Sequence, residues 1–216
     1  MVNLLYVYVV TTIDKNYQPC IKAPDHGMSG PNIIDDLITL GTCKRIIRKK
    51  IKKIFNKYDI FIVGFSRSPM IPRRALFILK VDEVITFNEA WNRGEINEVF
   101  RLKRGGFSPL TDETSRIKMN GDIIVKSDDG IHYKHIGGVH RRDWNRKILP
   151  SGLVGSEDDA YLIGDSNISR YLGEKGPVLT KNMLQQYWKG YPNAMRGHRV
   201  LKGKNARRFL QEYEFI

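Results

Sequence analysis

Three apolar runs rich in β-branched and aromatic residues place the strongest limit on how this chain folds. They are LLYVYVVT at residues 4–11, YDIFIVGF at residues 58–65 and ALFILKVDEVITF at residues 75–87. Residues of these types favour strands, and each run is too short to span a membrane as a helix. The first run predicts a buried opening strand. The other two predict a pair of neighbouring strands, the earlier of which ends at Gly64.

The remaining patterns predict helices and further strands around that pair. Residues 88–100 and 204–213 favour helices, and the segment AYLIGD at residues 160–165 favours a strand. Asp129-Gly130 lies between two alternating runs, which is a strong hairpin signal. The order of elements predicts an α+β fold with a curved, mostly antiparallel sheet or a partly open barrel. Helices flank that sheet, and a basic C-terminal extension follows it.

Positive charge is concentrated in two segments. The chain has 36 Lys and Arg against 23 Asp and Glu, a formal net charge of +13. Residues 44–57 hold eight of these cations and residues 175–211 hold nine, and neither segment contains an acid. The rest of the chain is slightly acidic. Acid-free clusters of this kind are typical of surfaces that bind polyanions, most often nucleic acid.

The first basic segment also has helical spacing. Ile47, Ile51, Ile54 and Phe55 fall on one stripe with Ile46 beside it, and cations fill the rest of the circumference. A solvated face, an acidic protein partner or a membrane surface would suit the same pattern. The stripe is narrow and lacks tryptophan, so no membrane partner is expected. The basic residues predicted to contact nucleic acid are Lys44, Arg45, Arg48, Lys49, Lys52, Lys53, Arg141, Arg142, Arg199, Lys202, Lys204, Arg207 and Arg208.

Composition and cysteine usage indicate the class of protein. A hydrophobic content of 41% excludes a wholly disordered chain. Two cysteines, Cys20 and Cys43, cannot form a disulfide framework, which favours a reducing compartment. The apolar start lacks both a basic flank and a small-residue cleavage site, so it predicts a strand and not a leader. A cytoplasmic location is therefore the expectation.

The sequence lacks the common motifs for nucleotide hydrolysis and dinucleotide binding. It contains neither G-x-x-x-x-G-K-[ST] nor G-x-G-x-x-G. His132 and His135 would point to opposite faces of a predicted strand, and no cysteine accompanies them, which disfavours zinc. Neither a cofactor nor a metal is therefore predicted.

Three residues are the candidates for acid–base or nucleophilic chemistry. Asp25 and His26 lie in a loop rich in proline and glycine, where either would need a distant partner. Cys43 precedes the basic helix, and the helix-end amides with Lys44 and Arg45 would favour its thiolate. The alternatives are a turn or phosphate contact for His26 and ordinary burial for Cys43.

Aromatic and amide side chains supply candidates for a base-binding pocket. Trp144 lies among the cations of HRRDWNRK, which suits stacking on a base beside phosphate contacts. Simple packing accounts for this tryptophan equally well. Asn32 and Trp91 complete the predicted pocket.

Several short motifs occur together along residues 4–165. They are LLYVYVVTTID, TLGTCKRIIRK, YDIFIVG, ALFILKVDEVITFNEAW, GDIIV, HYKH and AYLIGD. The combination resembles the second of the nucleotide modification associated domain families, over about three quarters of the chain. That resemblance implies an association with systems that modify DNA bases in bacteria and phages. By fold analogy it also implies similarity to PUA-, ASCH- and EVE-like barrels, which commonly read or process modified bases.

The motifs end before the second basic segment. The expected organisation is an α+β domain over residues 1–174, followed by a basic C-terminal extension over residues 175–216 that packs on the domain or continues it. Removal of the extension is expected to weaken nucleic-acid binding without unfolding the body.

Three hypotheses for function follow. The first is a nucleic-acid-binding protein that recognises or processes a modified base or nucleotide in DNA, within a DNA-modification or defence system. The second is an enzyme that acts on a nucleotide or DNA base through Asp25, His26 or Cys43. The third is a protein whose basic segments meet an acidic partner. The sequence carries no prediction of oligomeric state.

Overall fold

The structure is a computed structural model of the chain. It describes residues 1–10, 13–18, 31–34, 37–41, 44–67, 72–101, 123–127, 130–134, 147–148, 160–188 and 197–216.

The described residues form eleven strands and five helices. The strands are β1 (Val2–Val10), β2 (Asn32–Ile34), β3 (Leu37–Leu40), β4 (Tyr58–Ser66), β5 (Ala75–Ile85), β6 (Ile123–Ser127), β7 (Gly130–Lys134), β8 (Lys147–Ile148), β9 (Tyr161–Gly164), β10 (Arg170–Tyr171) and β11 (His198–Lys202). The helices are α1 (Arg45–Ile54), α2 (Phe87–Arg93), α3 (Glu98–Arg101), α4 (Lys181–Gln185) and α5 (Lys204–Glu212), with short 3₁₀ turns at Phe55–Lys57 and Gly173–Lys175.

The main sheet has the strand order β11-β1-β4-β5-β9-β3-β2, and β10 pairs with β5 beside β9. β1 and β4 are parallel, whereas the pairings on either side of them are antiparallel. The sheet is open, with β11 and β2 at its edges. These findings confirm the predicted α+β class, the open and mostly antiparallel sheet, and the pairing of the two long apolar runs. The antiparallel pair of β6 and β7, with Ile123 opposite Lys134 and Ser127 opposite Gly130, confirms the predicted hairpin.

The parallel pairing of β1 and β4 explains the position of the basic helix. Parallel neighbours cannot be joined by a tight turn, so the connecting chain must cross over one face of the sheet. α1 belongs to that crossover and enters β4 through the 3₁₀ turn at Phe55–Lys57. The helix therefore lies against the sheet because of its place in the topology.

Helices cover the sheet on both faces. Side chains of a strand alternate between faces, so β1 contributes Tyr6 and Tyr8 to one core and Leu5 and Val7 to the other. The first core lies under α1 and includes Ile47, Ile51, Ile60, Ile62 and Leu79. The second core lies under α4 and α5 and includes Val63, Phe65, Leu184, Phe209 and Leu210. Coverage of both faces accounts for the apolar runs without alternation.

The C-terminal segment belongs to the body of the protein. β11 pairs with β1 along Leu4–Tyr8, and the side chain of Leu201 is buried. Ala206, Phe209 and Leu210 of α5 are fully buried in the second core. A separate basic extension is therefore not seen among the described residues, and this packing argues against removal of residues 197–216 without unfolding. The expected boundary between residues 174 and 175 stays a prediction.

Gly64 does not end its strand as the sequence suggested, because β4 continues to Ser66. The ring of Phe77 from β5 lies across this glycine, so a Cβ atom there would stand 2.1 Å from Phe77 Cε1. The absence of a side chain lets the large ring fill that space. The glycine is thus a packing requirement within a continuous strand.

Candidate nucleic-acid interface

The buried and exposed sides of α1 follow from helical spacing. Ile47 and Ile51, one turn apart, are buried against the sheet. Arg45, Lys49 and Lys53, also spaced by four residues, occupy the opposite side, and Arg45 and Lys53 are exposed. Like charges at this spacing disfavour an isolated helix slightly. Tertiary packing of the two isoleucines therefore holds a cationic stripe in a helical arrangement.

Lys44 begins α1 in an unusual conformation. Its backbone has φ 55° and ψ 43°, the left-handed region that residues other than glycine rarely adopt. Its ammonium nitrogen lies 4.3 Å from the centroid of the Tyr8 ring. A cation over an aromatic face is attracted by the ring quadrupole. This contact fixes the position of a positive charge at the start of α1, where the helix dipole disfavours one.

Arg48 lies in the interior. Its side chain is 1% exposed and donates a hydrogen bond to the carbonyl oxygen of Ala160. Its guanidinium also stands 5.7 Å from the centroid of the Phe87 ring. The sequence placed Arg48 among the phosphate contacts, but the structure assigns its head group to the junction of α1, α2 and the start of β9.

β11 brings three more side chains to the same side of the sheet as α1. His198, Val200 and Lys202 stand opposite even-numbered residues of β1, which form the core under α1. The His198 and Tyr6 rings are 5.7 Å apart, and His198 Nε2 is 3.4 Å from Lys50 Nζ. The ammonium group is the donor in that contact, so the imidazole nitrogen accepts.

The surroundings of His198 favour its neutral form. Burial, followed by the charges of Lys50 and Lys44, holds the pKa of His198 below its usual value of 6.5. Burial also raises the pKa of the neighbouring Tyr6 hydroxyl. An anion that approaches this neutral imidazole would raise its pKa and so favour the uptake of a proton from solvent.

Lys202 extends the positive surface along the edge of the sheet. Its ammonium group donates to the Tyr58 hydroxyl at 2.8 Å and stands 4.8 Å from the centroid of that ring. The cations of α1 form one surface together with His198 and Lys202, which we call the α1 face. Its members are Lys44, Arg45, Lys49, Lys50, Lys52, Lys53, His198 and Lys202.

The other predicted cations of the C-terminal segment lie on the opposite side of the sheet. Arg199 stands opposite Val7, whose side chain belongs to the core under α5. Lys204, Arg207 and Arg208 are exposed on α5 itself. Arg208 donates to Gln186 at 2.7 Å and lies 3.8 Å from Glu212. Arg199 and the cations of α5 are therefore separated from the α1 face by the sheet, and of the second basic segment's predicted cations only Lys202 joins that face.

Several predicted site residues lie outside the described residues or are described only in part. Asp25, His26, Cys43, Arg141, Arg142 and Trp144 are outside, and only the backbone of Asn32 is described, in β2. Trp91 is half-buried on α2 and packs against the cluster that contains Phe87 and Tyr161. The catalytic and base-pocket roles of these residues stay predictions.

Tyr6, Tyr8, Lys50 and His198 were not selected from the sequence. Lys50 belongs to the basic helix, but its spacing alone does not show that its side chain reaches an edge strand. His198 stands 148 residues away from it along the chain. Only the pairing of β11 with β1 brings the histidine to the helix. The tyrosines alternate within β1, a signal of a shared face that the uniformly apolar run obscured.

A cavity of about 390 Å³ lies against the exposed side of α1. Its lining in the described part of the chain consists of Arg45, Ile46, Lys49, Lys50 and Lys53. Four cations and one isoleucine of α1 thus border this space from one side. Such a mixture suits a ligand that carries both negative charge and apolar surface.

The described residues contain no group of three or more His, Cys, Asp or Glu side chains placed to hold a metal ion. In the same part of the chain, no helix is long and apolar enough to cross a membrane.

The whole length of the fold matches a known family. The family model described as nucleotide modification associated domain 2 matches residues 3–214. The chain belongs to this family. The match confirms the resemblance found in the sequence and links the chain to nucleotide modification. It also places the second basic segment inside the nucleotide modification associated domain 2 region, whereas the motifs had ended before it.

Other comparisons add no relative. No curated protein and no solved structure matches the chain.

Proposed function

We propose that this protein binds DNA through the α1 face and recognises or processes a modified base there. The observation that carries the proposal is the concentration of cations on one side of α1, in a segment without acids, beside Lys202 at the sheet edge. Phosphates attract such a surface whatever the base sequence. Membership in a family linked to nucleotide modification supports a modified base as the feature recognised.

The strength of binding should depend steeply on salt. Each neutralised phosphate releases condensed counterions, so the logarithm of affinity falls linearly with the logarithm of salt concentration. If about six phosphates are neutralised, affinity falls about a thousandfold between about 50 and about 200 mM salt. An acidic protein partner would show a weaker dependence, because it lacks the condensed counterions of DNA.

A charge-matched pair of variants tests the assignment of the surface. The triple variant Arg45→Gln, Lys49→Gln and Lys53→Gln removes three cations from the α1 face. The control Arg199→Gln, Lys204→Gln and Arg207→Gln removes three from the opposite side. Titration of a labelled duplex over a series of salt concentrations should show a slope reduced by about three only in the first variant. Equal slopes in the two variants would reject the α1 face as the binding surface.

An enzyme acting on a nucleotide or DNA base is a second proposal. It is supported by His198, a neutral imidazole beside Lys50 that is able to accept a proton. Mass spectrometry of nucleosides from DNA incubated with the protein would detect a changed base. The variants His198→Gln, His26→Ala and Cys43→Ser separate the candidates. If the wild-type protein leaves the nucleosides unchanged, the enzyme proposal is rejected and only the binding proposal stands.

A further inference from the structure

Ile46 is an apolar residue on the exposed, otherwise cationic side of α1. It is 61% exposed, although its helix is otherwise cationic on that side. Lysine or alanine would favour the helix more than a β-branched residue at an exposed position. Ile46 also lines the cavity that Arg45, Lys49, Lys50 and Lys53 border. An exposed apolar side chain next to cations on one helix face suits a ligand that offers both negative charge and an apolar contact.

The dimensions of α1 match the major groove of duplex DNA. A helix of ten residues is about 15 Å long, which covers about four base pairs, and its width with side chains is about that of the groove. Lys50 and Lys52 are two positions apart and project to opposite flanks of the exposed side. They are thus placed for phosphates on the two walls. Arg45, Ile46 and Lys49 lie between these flanks and would face the base edges.

The floor of the major groove carries a group that isoleucine is suited to contact. Position 5 of a pyrimidine points into this groove, and thymine bears its methyl group there. Methylation of cytosine at position 5 places a methyl group at the equivalent point. Burial of one such methyl group against an apolar side chain strengthens binding about fourfold, and lysine offers no comparable contact at its charged end.

We propose that α1 enters the major groove of duplex DNA and that Ile46 reads the substituent at position 5 of a pyrimidine. The inference rests on the proposed function, because it requires the α1 face to bind DNA. It goes further by naming the groove, the position on the base and the residue that discriminates. Duplex RNA is excluded as the ligand, since the major groove of A-form helices is too narrow for side chains to read.

Duplexes that differ only at position 5 test the proposal. One pair contains thymine or deoxyuridine at every site, and another contains 5-methylcytosine or cytosine; an RNA duplex of the same sequence is the third ligand. Wild-type protein, Ile46→Ala and Ile96→Ala are titrated against each at moderate salt. Ile96 lies in the turn after α2 and is 92% exposed, so its substitution is a matched control.

The wild-type protein and Ile96→Ala should prefer a methylated member of a pair about fourfold for each methyl group contacted. Ile46→Ala should bind both members equally, with its salt dependence unchanged. Alanine favours the helix, and circular dichroism checks that this variant is folded. A wild-type protein that binds duplexes without preference, a preference retained by Ile46→Ala, or tighter binding of duplex RNA would each overturn the inference. Absence of salt-dependent binding to any duplex would instead overturn the proposed function.

Discussion

The imidazole of His198 lies 3.4 Å from the ammonium nitrogen of Lys50, so the edge strand β11 and the basic helix α1 meet through these two side chains. Tyr6 of β1 faces the same imidazole, and Lys44 adds a second positive charge nearby. Burial and both cations lower the pKa of His198. The contact therefore links the charge of the surface to pH.

Protonation of His198 should destabilise the folded protein. Because its pKa is lower in the folded protein than in the unfolded chain, the unfolded chain binds more protons between the two pKa values. The free energy of unfolding should thus be highest above pH 6.5 and decrease as the pH falls from there through the folded-state pKa. Urea unfolding over a pH series measures this, and His198→Gln should flatten the curve in that interval. The same pH dependence in both proteins would contradict it.

DNA affinity should change with pH in the opposite direction to the free energy of unfolding, because DNA binding favours the protonated form of His198. A phosphate placed beside Lys50 and His198 favours the imidazolium, so binding is coupled to proton uptake. We expect wild-type affinity at fixed salt to increase as the pH falls from about 8 to about 5.5, and to change less in His198→Gln. Isothermal titration calorimetry in buffers of different ionisation enthalpy measures the protons taken up. Equal uptake by both proteins would show that His198 is not the group involved.

Arg48 should contribute to stability and not to DNA binding. Arg48→Ala removes a buried side chain and the donor to the Ala160 carbonyl, which should lower the free energy of unfolding by about 3 kcal/mol. Lys52→Ala on the exposed side of the same helix should change it by less than about 0.5 kcal/mol. Denaturant unfolding of both variants provides the comparison. An Arg48→Ala protein as stable as the wild type would contradict the interior role.

Phe209 should be essential to the fold. Its ring is fully buried and lies 4.5 Å from the Tyr213 ring and 5.5 Å from the Trp188 ring, measured between centroids. Phe209→Ala should lower the free energy of unfolding by about 3–5 kcal/mol. Arg207→Ala, on the exposed side of the same helix, should have little effect.

Deletion of residues 197–216 should be more damaging still, because it removes β11 and α5 together and exposes the second core. Circular dichroism and thermal unfolding of the truncated chain would test this. Cooperative unfolding with an unchanged spectrum would instead support a separable basic extension.

Local patterns were sufficient for much of the fold. The runs at 58–65 and 75–87 predicted β4 and β5, because apolar β-branched residues suit a covered sheet. The spacing of Ile47 and Ile51 likewise predicted the buried side of α1. The sequence does not predict β2 and β3, since strands of three and four residues leave little periodicity to detect.

The candidate surface depended on contacts that local patterns do not contain. Arg48 has the same residue type as an ordinary surface cation, but the position of Ala160 and Phe87 draws it into the interior. Arg199 and Lys202 belong to one basic segment, yet strand alternation sends them to opposite sides of the sheet. Neither assignment follows from charge counting.

The sequence by itself determined the family, the α+β class, the central strands and the existence of a basic amphipathic helix. These depend on residue type and on spacing within a few turns of chain. The tertiary structure decided which cations share a surface, that His198 meets Lys50, and that the C-terminal segment is part of the core. Such properties arise from the pairing of strands distant along the chain, and that pairing reflects the burial of both sheet faces as a whole.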